Sequence, residues 1–293
     1  MTRFNLITQL RLGLGLFFRP GFYFSLVITL LPSGALADDW FDAHLHYNAD
    51  QVETFSPKQI IDTLNSNQVS KAVVTSRPPE LVMKLYQQEP GRIVPMLGLY
   101  TKPDDKTRWL NDRQLPARLR QQLDQHSWAA IGELHLFAND RNKPVFRQIV
   151  EIARSRMIPL LIHADPAVID TLYSISPRQP VIWAHAGKYP YTDLIADYLE
   201  RYPALHIDLS MRDDRIAPDG PIADDWYELI VTNPDRFMVG VDTYSTARWR
   251  TFSEATTKIR HWLSQLPPDI AGKLAYKNAN RIYKQDKDSD SEE

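Results

Sequence analysis

Trp40-Phe41-Asp42-Ala43-His44-Leu45-His46 is the stretch on which the reading of this chain turns. Apolar residues lead into two histidines separated by one residue. Side chains two apart on a strand share a face, so a strand ending here aims both imidazoles the same way. Two such rings can grip one metal ion. Further candidate ligands close other short apolar runs: Glu133 in Ala130-Ile131-Gly132-Glu133, His163 in Leu160-Leu161-Ile162-His163, His185 in Val181-Ile182-Trp183-Ala184-His185, and Asp242 in Met238-Val239-Gly240-Val241-Asp242. Such a nitrogen and oxygen donor set suits one or two divalent ions, Zn²⁺ first, with Mn²⁺ or Fe²⁺ as alternatives. An incomplete protein shell leaves a position for water, whose pKa an ion of this kind lowers toward ~7.

Working outward, strand-like and helix-like segments alternate, as repeated βαβ units require. Strands are predicted near residues 40–44, 71–76, 93–100, 129–134, 159–163, 180–185, 205–210 and 237–242. Helical patterns lie between them, for example over 59–64, 145–153, 194–199 and 226–231, with Ser56-Pro57, Tyr202-Pro203 and Asn233-Pro234 as start and stop signals. The nearly continuous apolarity of Val94-Pro95-Met96-Leu97-Gly98-Leu99 suits a strand covered on both faces, although Pro95 removes a ladder donor.

This order of residues resembles the amidohydrolase superfamily, whose members carry His-x-His after the first strand, an acidic residue or modified Lys after the fourth, His after the fifth and sixth, and Asp after the eighth. The resemblance runs from residue 40 to about 284 and implies a single (β/α)8 TIM barrel with His44, His46, Glu133, His163, His185 and Asp242 converging at one mouth. If Glu133 bridges two ions, the resemblance assigns His44, His46 and Asp242 to one and His163 with His185 to the other. A single ion would instead take His44, His46, His163 and Asp242. In the resembled family the strand-eight Asp takes the proton from water and passes it to the leaving group, and Asp242 matches it; His185 either polarises the scissile carbonyl or ligates. Ile131-Gly132-Glu133 looks like the TatD-like branch. Asp42 to His46, His185-Ala186-Gly187 and Asn278-Ala279-Asn280-Arg281-Ile282-Tyr283 look more like the amidohydrolase-2 branch, which includes lactonases, other hydrolases and non-oxidative decarboxylases.

The organisation predicted around the barrel is simple. Arg3, Arg11 and Arg19 precede the apolar stretch 21–31, and Ala35-Leu36-Ala37 offers small residues for cleavage, so residues 1–37 read as a secretory signal and the protein as periplasmic or secreted; retention as an anchor is the alternative. Residues 38–284 then form the barrel, close to the ~250 residues usual for it, and the acidic segment 285–293 reads as a disordered tail. All three basic residues of the leader are Arg and none of its residues is acidic, so the remainder of the chain carries an acidic excess of about five charges. That argues against a nucleic-acid partner, which needs a basic stripe. The chain has no cysteine, hence neither disulfides nor thiolate ligands. Once the leader is removed, no apolar run approaches the ~20 residues that span a bilayer, so no stable membrane association is expected.

Four further residues are candidates for substrate contact. His135 lies two beyond Glu133, while Arg77, Arg212 and Lys188 follow predicted strands, and Arg suits two-pronged recognition of a carboxylate. His126 and His261 read as surface residues and His206 as part of the stability face. The function expected is metal-dependent hydrolysis of a small carbonyl compound, anionic or neutral, a lactone, amide or ester. The alternatives are a decarboxylase on the same scaffold, a TatD-like nuclease, and a metal-containing binder without chemistry.

Overall fold

The computed structural model describes residues 40–283. The predicted leader, its cleavage point and the acidic tail lie outside the described residues. Eight strands run β1 Trp40–His46, β2 Val69–Thr75, β3 Ile93–Leu97, β4 Ala130–Leu136, β5 Leu160–Ala164, β6 Val181–Trp183, β7 Leu205–Asp208 and β8 Phe237–Met238. They form one parallel sheet in sequence order. Backbone bonds from the Ala43 N–H to the Val239 carbonyl and from the Asp242 N–H to the His44 carbonyl join the two edges. The result is the (β/α)8 TIM barrel expected.

Helices follow the strands and cover the sheet from outside. Pro57–Ser66 begins at Ser56, whose hydroxyl accepts from the Gln59 N–H while the Gln59 side chain accepts from the Ser56 N–H. Two donors at the helix start are thereby satisfied. Pro144–Ser155 sets Val145, Phe146, Ile149, Val150, Ile152 and Ala153 on its buried side, the 3.6-residue spacing of a helix lying on a sheet. Inside the barrel, Phe41, Val73, Met96, Ala130, Leu161, Ile182 and Met238 pack together with Tyr283 of the C-terminal segment. The interior is therefore a filled core, and only the carboxyl ends of the strands are free to carry chemistry. Among the described residues, no helix is long and apolar enough to cross a membrane.

Two strand expectations change in a way that matters. Apolar runs predicted to 185 and 242 stop being strand at Trp183 and Met238, and the chain takes left-handed backbone at His185 (φ 57°) and Asp242 (φ 53°). Register also shifts between Asp42 and Leu45 on β1 and between Ile131 and Leu134 on β4. A bulge of this kind re-aims side chains. Here the two bulges span the positions of His44 and Glu133.

Candidate metal centre

His44 and His46 end β1 with their Nε2 atoms 3.1 Å apart. His44 is completely buried, and its Nδ1 lies 2.8 Å from Asp208 Oδ2, which fixes the ring with Nε2 pointing into the mouth. His46 is held through its backbone: its N–H donates to Thr243 Oγ1, whose hydroxyl donates to the His46 carbonyl, and Trp249 Nε1 donates to that carbonyl as well. Asp242 Oδ1 stands 3.3 Å from His46 Nε2 and 3.8 Å from His44 Nε2.

Glu133 is the hub. Its Oε1 lies 2.9 Å from His163 Nδ1 and 3.2 Å from His185 Nε2, and its Oε2 lies 3.2 Å from His135 Nε2, 3.7 Å from His46 Nε2 and 3.9 Å from His44 Nε2. Gly132 lets the strand reach this position. Its φ is +156°, and a Cβ there would lie 2.6 Å from the Leu161 carbonyl oxygen and 2.7 Å from Leu161 Cβ. Gly240 has the matching part beneath Asp242, where a Cβ would crowd His44 Cβ at 3.0 Å and Asp208 Oδ1 at 3.3 Å. His185 is held from behind, with Nδ1 2.9 Å from Ser210 Oγ.

Among the described residues, three overlapping sets of side chains could hold an ion, namely His44 with His46 and Asp242, His44 with Glu133 and His185, and Glu133 with His135 and His163. His163 thus joins Glu133 and His135, and the structure does not gather it with His44, His46 and Asp242 as the single-ion arrangement requires. Among the described residues, Asp242 Oδ1 is buried without a well-formed hydrogen bond, with His46 Nε2 3.3 Å away. A buried carboxylate oxygen in that position among imidazole nitrogens is what a divalent cation would satisfy. The residues therefore fit a metal of the borderline class.

The electrostatics agree. Burial opposes ionisation of Glu133, yet His135, His163, His185 and His44 hold its carboxyl well below the ordinary value. Burial likewise opposes protonation of His44, but Asp242, Asp208 and Glu133 raise its pKa to about 10. Despite burial, His44 and then His185 and Ser210 bring Asp208 down to about 2. Burial keeps His135 neutral, with a pKa lowered to about 3 against the pull of Glu133.

The remaining candidates separate. His135 joins the site, its ring stacked on His163 at 4.7 Å. Arg77 lines the same cavity as His46, Glu133 and His135. Arg212 does something other than the substrate contact expected of it: its guanidinium donates to the His185 and Gly187 carbonyls and supports the turn that carries His185. Lys188 sits at the exposed rim, 3.5 Å from Asp165 Oδ1 and over the rings of Phe137 and Tyr189. His206 lies at the start of β7, away from these groups, with its Nδ1 at the Ala204 carbonyl. Sequence reading missed Asp208, which holds the His44 ring, and Lys106, which lines the cavity with Arg77, His46, Glu133 and His135. Asp208 had a signal, since it closes the apolar run Leu205-His206-Ile207-Asp208 as the other site residues close theirs. Lys106, in the polar segment Asp104-Asp105-Lys106-Thr107, had none.

Comparison with known proteins bears on fold and family. A family model described as TatD related DNase matches residues 41–190. A probable 2-pyrone-4,6-dicarboxylic acid hydrolase from Acinetobacter baumannii, solved with citric acid bound, shares the fold at a TM-score of 0.59 and 14% identity, over 83% of this chain and 98% of its own. An amidohydrolase from Burkholderia multivorans with bound HEPES does so at 0.54 and 14%, again over 83% and 98%. The organophosphorus hydrolase of Deinococcus radiodurans does so at 0.55 and 11%, over 86% of this chain and 94% of its own. No curated protein sequence matches the chain. The resemblance to amidohydrolase-superfamily barrels is thus met at the level of fold. The matching family model is the TatD-related one.

Proposed function

This chain belongs to the TatD related DNase family, and we propose that it is a metal-dependent hydrolase acting on a small carbonyl compound, an ester, lactone or amide. The observation that carries the reading is the buried Asp242 carboxylate at the carboxyl end of the barrel, with Oδ1 3.3 Å from His46 Nε2 and 3.8 Å from His44 Nε2 and Oδ2 3.7 Å from His185 Nε2, a convergence of nitrogen and oxygen donors on one point. His44, His46 and Asp242 would hold one ion, and Glu133 with His163 and His185 a second. Zn²⁺ suits these donors, as do Mn²⁺ and Fe²⁺. A divalent ion, once bound, supplies Lewis acidity toward the substrate oxygen and lowers the pKa of water.

The chain's own residues supply the rest. Asp242 keeps a carboxylate at the mouth as the acceptor of the proton from attacking water and its donor to the leaving group. Asp208 and Ser210 hold the Nδ1 sides of His44 and His185, so that each Nε2 faces the centre. Among the described residues, Trp249 and Thr243 fix the backbone carbonyl of His46 and with it the approach of that ring.

Phosphodiester hydrolysis is the second reading, favoured by the match to the TatD-related family and disfavoured by the acidic balance of the chain. The test loads the protein with Zn²⁺ or Mn²⁺ and offers ester, lactone, amide and single-stranded DNA substrates to wild type and Asp242→Asn, with metal content measured for both. The expected result is ester or lactone turnover that falls ~10²-fold or more in the variant at unchanged metal content. DNA cleavage in place of ester turnover would establish the second reading. Carbon dioxide release would move the reaction to the decarboxylases, and undiminished turnover in metal-replete Asp242→Asn would remove Asp242 from proton transfer.

A further inference from the structure

Two cations face the ligand cluster from one wall of the cavity. Arg77 follows β2 and Lys106 lies in the helical turn Asp105–Arg108 that follows β3. Both line the space bounded by His46, Glu133 and His135. Each side chain is half-buried. Arg77 has one ion partner among the described residues, the exposed Asp50, at 3.9 Å. The Lys106 ammonium makes no hydrogen bond or ion pair within contact distance among the described residues; its electrostatic neighbours are Glu133, Asp242 and, repulsively, Arg77.

Two partly desolvated like charges repel, and a structure that keeps them together needs an opposite charge nearby. In the metal-free protein Glu133 and Asp242 provide it. Once those carboxylates neutralise divalent ions, the wall formed by Arg77 and Lys106 is left with excess positive charge facing the reacting groups. Among the other groups lining this cavity, the Ser76 hydroxyl donates to the Pro78 and Pro79 carbonyls and the Thr75 hydroxyl to the Gly132 carbonyl, while the Tyr100 oxygen accepts from the His135 N–H and keeps its own hydrogen to donate. The unmet requirement is for an anion.

We propose that Arg77 and Lys106 form an anion subsite beside the metal centre, which takes a carboxylate or phosphate group of the substrate and orients its scissile bond toward Glu133 and Asp242. This rests on the hydrolase reading and narrows it to substrates carrying a negative group close to the bond that breaks. Arg77 supplies a planar donor pair and Lys106 a compact point charge, a combination that suits either oxyanion.

The test is calorimetric titration of the metal-loaded full chain with succinate and with inorganic phosphate, for wild type, Lys106→Met, Lys106→Arg and Arg77→Met. Circular dichroism and metal content of each variant are measured alongside. Loss of a charge-assisted contact should weaken the preferred anion about tenfold or more in Lys106→Met and Arg77→Met, and Lys106→Arg should restore most of it. Whichever anion shows the larger loss identifies the substrate's negative group. Should Arg77→Met fail to fold, the pair Lys106→Met and Lys106→Arg carries the test alone. Binding of both anions at wild-type strength in Lys106→Met overturns the subsite, as does a metal-loaded wild type that binds neither. Absence of ester or lactone turnover in a protein whose anion binding still depends on Lys106 would refute the hydrolase reading and leave the subsite standing.

Discussion

Replacing Asp208 with Asn tests the centre without touching any proposed ligand. The carboxylate is completely buried. It accepts Ser210 Oγ at 2.6 Å and the Ser210 N–H at 2.9 Å, and it faces His44 Nδ1 at 2.8 Å. An amide in its place carries no charge and must turn one NH₂ toward groups that themselves donate. The metal-free fold should lose about 1–3 kcal/mol, the cost of a buried polar group left unsatisfied. Metal affinity should fall about 10- to 100-fold, because His44 loses the partner that orients its ring and raises its basicity; that corresponds to about 1.4–2.8 kcal/mol. Chelator competition on wild type and Asp208→Asn measures the second quantity, and denaturant unfolding of the metal-free proteins measures the first. Unchanged metal affinity in a variant that has lost stability would show that Asp208 serves the fold alone, and the argument linking it to His44 Nε2 would fail.

The same pair sets a pH dependence. Asp208 is held down from 3.8 to about 2, so its contribution to metal-free stability is present above pH 3.8 and lost as pH falls through about 2; His44 is raised from 6.5 to about 10, so its contribution is present below pH 6.5 and lost as pH rises through about 10. The stability gap between wild type and Asp208→Asn should therefore be widest between about pH 4 and 6.5, and a gap that stays level from pH 3 to pH 10 would contradict both shifts. Because His44 keeps its proton at neutral pH in the metal-free state, loading an ion at pH 7.5 should release about one proton from it, read from calorimetry in buffers of different ionisation enthalpy. Glu133→Gln should lower metal stoichiometry from about two ions toward one, since an amide is a poorer ligand than a carboxylate for the ion it would hold with His163 and His185; a fully loaded wild type holding one ion would end the two-ion version.

Much of the barrel was legible because parallel strands buried on both faces leave near-continuous apolar runs, and because site residues end those runs. His44, Glu133 and His163 could be placed that way. What could not be read was local geometry. The bulges on β1 and β4 and the early ends of β6 and β8 depend on contacts between strands far apart in sequence, such as Gly132 against Leu161 and Gly240 against His44. Lys106 was invisible for a similar reason. It sits in a polar turn whose composition is that of any surface loop, and only the fold brings its ammonium toward Glu133 and Asp242.

The basic residues after the strands show how one residue type divides between two jobs. His185 and Asp242 both adopt left-handed backbone, a conformation that costs roughly 1–3 kcal/mol for a residue with a side chain and persists only where its surroundings enforce it. Arg212 donates to the His185 and Gly187 carbonyls, and Arg248 donates to the Val241 and Asp242 carbonyls. Each guanidinium thus satisfies backbone acceptors that the turn has taken out of the sheet ladder. After β2 the chain makes no such demand: among the described residues, the Arg77 guanidinium has no carbonyl to hold, and its side chain borders the cavity instead. Arg212 and Arg248 serve the backbone because the turns beside them expose carbonyls, and Arg77 borders the cavity because no carbonyl is offered to it among the described residues; the fold makes that division, and an arginine's position after a strand does not.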